Sequence, residues 1–190
     1  NYLTYNPSTV EFMLFHTTVT LPAVVFAILI VVLVWASINV TNCADGVDGL
    51  SGTLTIITLL TIYGIFKIKE DMGSISYLIL LFCVCILGYL WYNANPSRML
   101  MGDAGSRAMG IFIAIAILKT GSPVLYLLVA AVLILDGGLG LIKVALLRFL
   151  KIKILKNTRT PLHDHTRKNM GWSGPQTVMR FAIIQIMISV

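Results

Sequence analysis

The chain has 190 residues, 57% hydrophobic and only 12% charged, with a formal net charge of +6. Soluble globular domains carry about 25% charged residues. This composition therefore excludes an ordinary soluble domain and reads as an all-α polytopic membrane protein. In that class the positive charge bears on topology, because basic residues favour the cytoplasmic side; nucleic acid is not an expected partner.

The opening residues, "NYLTYNPSTVEFMLF", lack the charge pattern of a signal peptide. Six apolar segments follow, at about 19–38, 51–66, 75–92, 106–120, 123–147 and 177–190. Each is expected to be a membrane helix of one transmembrane domain spanning 1–190, because a backbone in lipid must satisfy its own hydrogen bonds. The last segment, "TVMRFAIIQIMISV", stops short of the ~20 residues of a full span, so a piece of a longer protein is expected. Cys43, Cys83 and Cys85 are odd in number, and two lie inside an apolar run. They give no disulfide or zinc framework and read as small apolar residues.

If each segment crosses once, the loops 39–50, 93–105 and 148–176 share one face. That face receives Arg98, Arg148, Lys151, Lys153, Lys156, Arg159, Arg167 and Lys168. The other receives Lys67 and Lys69, offset by Glu70 and Asp71. The positive-inside rule places the three-loop face in the cytoplasm.

The first loop is "NVTNCADGVDGLSG", residues 39–52. Asn39, Asn42, Asp45 and Asp48 recur every three residues, a spacing that keeps side chains on one face of a helical turn. Gly46 and Gly49 would let a ligand approach the backbone. The cluster offers acceptors to sugar hydroxyls or a uracil edge, or oxygen ligands to a hard cation such as Mg²⁺. A helix cap followed by a turn would use the same residue types. The second loop, "YNANPSRMLMGDAGS", is broken by Pro96 and leads through Asp103 into the next apolar segment. Asp103 is either a helix N-cap or a Mg²⁺ ligand beside a helix N-terminus, where phosphate also binds. Asn93 offers an amide for base or sugar recognition.

Within segment 123–147, Asp136 precedes Gly137 and Gly138. An acid at membrane depth marks a functional site by default. The glycines predict a bent or broken helix, with Asp136 serving its freed backbone groups. The third loop carries "TPLHDHTRKNMGW", residues 160–172. No Cys or third His accompanies His163 and His165 on that face, and His16 is expected on the other, which disfavours zinc. A solvated connector is one alternative. Phosphate chemistry is the other, with histidine supplying hydrogen bonds or a proton and Lys and Arg attracting a polyanion.

Together, "NVTNCADGVDGL", "YNANPSRMLMGDAGS" and "PLHDHTRKNMGW" resemble the phospho-N-acetylmuramoyl-pentapeptide transferases. These belong to the polyprenyl-phosphate N-acetylhexosamine-1-phosphate transferases. The resemblance spans about residues 39–190. "PLHxH" followed by "GW" favours this group over relatives that transfer GlcNAc-1-phosphate. It implies a ten-helix membrane fold of which this chain would be the C-terminal part. It implies transfer of phospho-MurNAc-pentapeptide from its UDP carrier to undecaprenyl phosphate, giving lipid I and UMP in peptidoglycan synthesis. It further implies Mg²⁺, a homodimer, and an active site facing the cytoplasm at the bacterial plasma membrane.

By matching position, the resemblance implies that Asp103 binds Mg²⁺, that Asp45 is an essential acid near the nucleotide, and that His163 is the essential histidine. It implies that Asn42, Asp48 and Asn93 contact the nucleoside or sugar. Leu100, Asp164 and His165 fall at substrate-side positions. The chain departs from the family pattern in four ways. It lacks the upstream Asp-Asp pair, so these residues alone are expected to be inactive. Asp164 replaces the middle histidine of the usual triplet, Leu100 stands where a Phe often stacks on uracil, and Asp136 replaces a common Glu. A UDP-GlcNAc transferase or a transporter with an intramembrane site at Asp136 are the competing readings.

Overall fold

The computed structural model describes residues 9–12, 17–70, 73–152 and 158–189. His16, Asp71, Lys153 and Lys156, which enter the sequence reading above, lie outside the described residues.

Among the described residues, the regular structure is helical apart from one hairpin that the apolar count did not foresee. Strands β1 (Thr9–Phe12) and β2 (Thr17–Thr20) pair antiparallel, with Thr9 opposite Thr20. The helices are α1 (Ala23–Cys43), α2 (Leu50–Ile68), α3 (Ser74–Asn93) and α4 (Gly102–Lys119). A broken helix follows, with arms α5 (Pro123–Val129) and α6 (Ala131–Leu150). Then come α7 (Leu162–Asn169) and α8 (Gly174–Ser189). Each of the six expected apolar segments is thus helical over most of its described residues, with Val19 and Thr20 of the first in β2 instead.

Among the described residues, three helices (α1, α2 and α3) are long and apolar enough to cross a membrane, or four if the bent pair is one span. The expected count of six is reduced for two reasons. Helix α4 carries Asp103, Arg107 and Lys119, and α8 has 16 described residues.

Helix ends follow the turn chemistry. Gly49 at φ 81° and Gly102 at φ 60° adopt the left-handed conformation where the chain re-enters α2 and α4. Asn93 ends α3 ahead of Pro96. Small residues set the packing around α1. A Cβ on Gly110 would meet the Ser37 carbonyl oxygen at 2.5 Å, and one on Gly137 would meet that of Val40 at 2.5 Å. Both glycines therefore let α4 and α6 lie directly on the α1 backbone. Ser37 Oγ, buried in this seam, donates to the Gly110 carbonyl at 2.7 Å. The core between the helices is aliphatic, centred on Leu50, Leu54, Leu59, Ile62, Ile79, Ile113 and Ile117.

Two expectations about shape are corrected. The sharp bend, 75°, falls between α5 and α6 at Ala130, ahead of the glycine pair. Gly137 and Gly138 instead lie in a π-helical stretch, Ile134–Gly138. The third loop is also not all loop, since α7 occupies its "LHDHTRKN" segment.

Candidate functional site

The three polar stretches meet at one end of the bundle. The first is not a helical stripe throughout, because α1 ends at Cys43 and residues 44–49 form turns. Asn39 is tied to its own helix, donating to the Trp35 carbonyl at 2.7 Å. Asn42, in the last turn of α1, reaches across to α4. Its Nδ2 donates to Asp103 Oδ1 at 3.2 Å and to Ser106 Oγ at 2.9 Å. Asp103 sits in the first turn of α4, beside the positive end of the helix dipole. Its other oxygen accepts from Arg107 at 2.9 Å, one turn on. The hydrogen bond from Asn42 and the Arg107 guanidinium hold the exposed Asp103 carboxyl below the usual range.

Asp45 stands in the turn after α1. Partial burial, then the negative charges of Asp103 and Asp48, push its pKa up to about 6. This is a concentration of negative charge, offset at Asp103 by Arg107. Asp48 is tied to the second loop, accepting from Asn95 Nδ2 at 3.2 Å and from the Ser97 backbone N–H at 3.3 Å.

Asn93 has a different place. It is 3% exposed. Its Oδ1 accepts from the Gly49 N–H at 2.8 Å, and its Nδ2 donates to Met99 O at 2.8 Å and Ser97 Oγ at 3.1 Å. That amide joins the two loops from beneath. Leu100, by contrast, is 78% exposed on the loop surface.

The third stretch is locked by the residue from the broken helix. Asp136 and His163 are both buried. Asp136 Oδ1 accepts the His163 backbone N–H at 2.8 Å, and Oδ2 lies 2.8 Å from His163 Nδ1. Helix α7 begins after Pro161, and its first turn carries no side-chain cap of its own. Asp136 supplies that cap from another helix, rather than serving the backbone of its own as expected. With Nδ1–H donating to Asp136, the remaining ring nitrogen, Nε2, faces Gly46, where a Cβ would collide with it. Gly46 thus gives room to a histidine of the third stretch.

The neighbours of His163 are more exposed. Asp164 pairs with Lys168 at 2.7 Å, and that hydrogen bond holds its carboxyl below the usual range. His165 Nδ1 accepts from the Arg159 N–H at 3.3 Å.

Three residues were not singled out as site residues from the sequence, namely Asn95, Ser106 and Arg107. Only Arg107 carried a signal, its i,i+4 spacing from Asp103. Among the described residues, no three His, Cys, Asp or Glu side chains stand close enough to form a closed metal site. The donors present are hard carboxylate and amide oxygens. They suit a cation that keeps its waters and takes phosphate oxygens, the habit of Mg²⁺.

A family model described as Glycosyl transferase family 4 matches residues 2–121. The chain is 42% identical over 175 residues to the phospho-N-acetylmuramoyl-pentapeptide-transferase of Treponema pallidum, covering 84% of this chain and 48% of that one. It is 29% identical over 120 residues to the protein of that name from Helicobacter hepaticus, covering 63% of this chain and 33% of that one. The one from Borrelia garinii is 36% identical over 103 residues, covering 54% of this chain and 28% of that one. The chain spans about half the length of the Treponema relatives it matches. The resemblance read from the three loops is borne out, and the chain belongs to glycosyl transferase family 4.

Proposed function

We propose that this chain is the part of a phospho-N-acetylmuramoyl-pentapeptide transferase that holds the donor's nucleotide and diphosphate. The whole enzyme would transfer phospho-MurNAc-pentapeptide from UDP to undecaprenyl phosphate, giving lipid I and UMP. The observation that carries the reading is the meeting of three separate stretches, through Asn42 with Asp103 and through Gly46 with His163. The basic residues of loop 148–176 support a cytoplasmic orientation. The family resemblance supports a homodimer.

Transfer between two polyanions depends on alignment and charge neutralisation more than on covalent chemistry. Mg²⁺ bound here would neutralise charge developing on the diphosphate. Asp103 would hold it, with Asp45 as the second carboxylate. Asn42 fixes the Asp103 carboxylate. His163 turns Nε2 toward the same loop to hydrogen-bond a phosphate oxygen, its tautomer set by Asp136. Arg159, Arg167 and Lys168 draw the polyanion in, with Asp164 and His165 ordering that segment. Asp48 contacts the sugar or base, Leu100 gives the base an apolar surface, and Asn93 braces the loop beneath them. An apolar groove of about 510 Å³, lined by Leu29, Leu33, Trp35, Leu127, Leu141 and Ile142 among others, suits the acceptor's hydrocarbon chain.

The test is the full-length enzyme in detergent with UDP-MurNAc-pentapeptide and undecaprenyl phosphate, scored by lipid product and UMP. The reading expects product from this donor and little competition from UDP-GlcNAc. Product from UDP-GlcNAc alone, or from neither donor, would overturn it.

A further inference from the structure

The break between α5 and α6 lies in "YLLVAAVL", residues 126–133, which contains no glycine or proline. Leu and Ala are strong helix formers, so residue type within this stretch does not account for the break at Ala130, and the π-helical turn begins only at Ile134. Sharp kinks without proline or glycine arise where a π-bulge, a side chain or water enters the hydrogen-bond ladder. In an unbroken helix the Val132 N–H would donate to the Leu128 carbonyl four residues back. Here both groups are held by one side chain from α8. Gln185 Oε1 accepts the Val132 N–H at 2.8 Å, while Nε2 donates to Leu128 O at 3.3 Å and Val129 O at 3.0 Å. Gln185 is fully buried. A primary amide is both donor and acceptor, so it can satisfy both sides of an opened helical bond. At membrane depth those groups have no water to turn to.

We propose that Gln185 is a positioning residue that holds the α5–α6 bend open and thereby sets Asp136 against His163. Asp136 lies on α6 shortly after the break, and its carboxylate fixes both the His163 backbone and ring. The chain of positioning runs from Gln185 to the break, to Asp136, to His163. Its catalytic consequence rests on the transferase reading; the bend itself does not.

The test uses the full-length protein with spin labels at Leu127 and Phe149, both exposed, and with Cys43, Cys83 and Cys85 replaced. The inter-label distance reports the bend, and turnover is measured on the same Gln185 variants without labels or cysteine replacements. Gln185→Met removes donor and acceptor at similar volume. Gln185→Asn withdraws the amide by one methylene. Gln185→Glu, protonated at this depth, keeps one donor and one acceptor. We expect Met and Asn to lengthen or broaden the distance and to lower kcat at least about tenfold. We expect Glu to keep both near wild type. The kcat losses should be non-additive with Asp136→Asn, because they act through it.

An unchanged distance in a folded Met or Asn variant would overturn the clamp. A changed distance with unchanged kcat would overturn the positioning role. A parent that turns over no donor would count against the transferase reading, while the distances still judge the clamp.

Discussion

At the far end of α2 and α4, Lys69 Nζ donates to the Thr120 carbonyl at 2.8 Å and to Ser122 Oγ at 3.3 Å. Thr120 Oγ1 donates to Ile117 O at 2.7 Å and accepts the Ser122 N–H at 3.1 Å. Donors and acceptors match, and the turn closes on itself. At the near end, Asp45 is half-buried beside Asp103 and Asp48, and its pKa is pushed up to about 6. Arg107 offsets one of these acids from the surface. Like charges gathered against their own repulsion cost stability, and such clusters mark functional sites. The far end therefore reads as structure. The near end reads as a place prepared for a cation and an anionic ligand.

The largest effect should come from the acids. In the full-length enzyme, Asp45→Asn or Asp103→Asn should lower UMP release by about 100-fold or more, with unchanged elution and no loss of melting temperature. Near-normal turnover in either would break the comparison. Asp136→Leu should come next, because it leaves a buried N–H and ring nitrogen without an acceptor. A loss of about 3 kcal/mol in unfolding free energy is expected, together with reduced turnover. Gly46→Ala drives a methyl into the His163 ring, and should cost about 1–2 kcal/mol and lower turnover about tenfold. Lys69→Met should be mildest, costing about 1 kcal/mol with turnover unchanged. A strong effect of Lys69→Met on kcat would erase the contrast between the two ends.

A pH series sharpens the same point. Asp45 has a pKa pushed up to about 6 in the folded chain, against 3.8 for a free aspartate side chain. A raised carboxyl means the folded state binds the proton more tightly. Stability should therefore fall as pH rises from about 4 through 6. In chelator, Asp45→Asn should melt higher than wild type at pH 8, and the gap should close by pH 4. A gap independent of pH would remove the electrostatic explanation.

Much of this was legible in the sequence. The apolar runs fixed the helices, because lipid leaves the backbone no other choice. Counting one crossing per segment put the motif loops on one face, and Asp103 and Asp45 stood out by type and setting. What could not be read is long-range pairing. Nothing near Asp136 in sequence indicates that it caps the helix of His163, 27 residues away. Asn93 and Asp45 look equally suited to a ligand, yet Asn93 is saturated by Gly49, Ser97 and Met99. The bend was expected at Gly137 and Gly138, but a glutamine from α8 places it at Ala130.

The most direct test of the central claim is a Mg²⁺ titration of melting temperature in the full-length protein, without substrate. Wild type should rise saturably as the cation relieves the acidic cluster. Asp103→Asn should need at least several-fold more Mg²⁺ for the same rise, while Lys69→Met should follow wild type. Identical titration curves for wild type and Asp103→Asn would contradict the account.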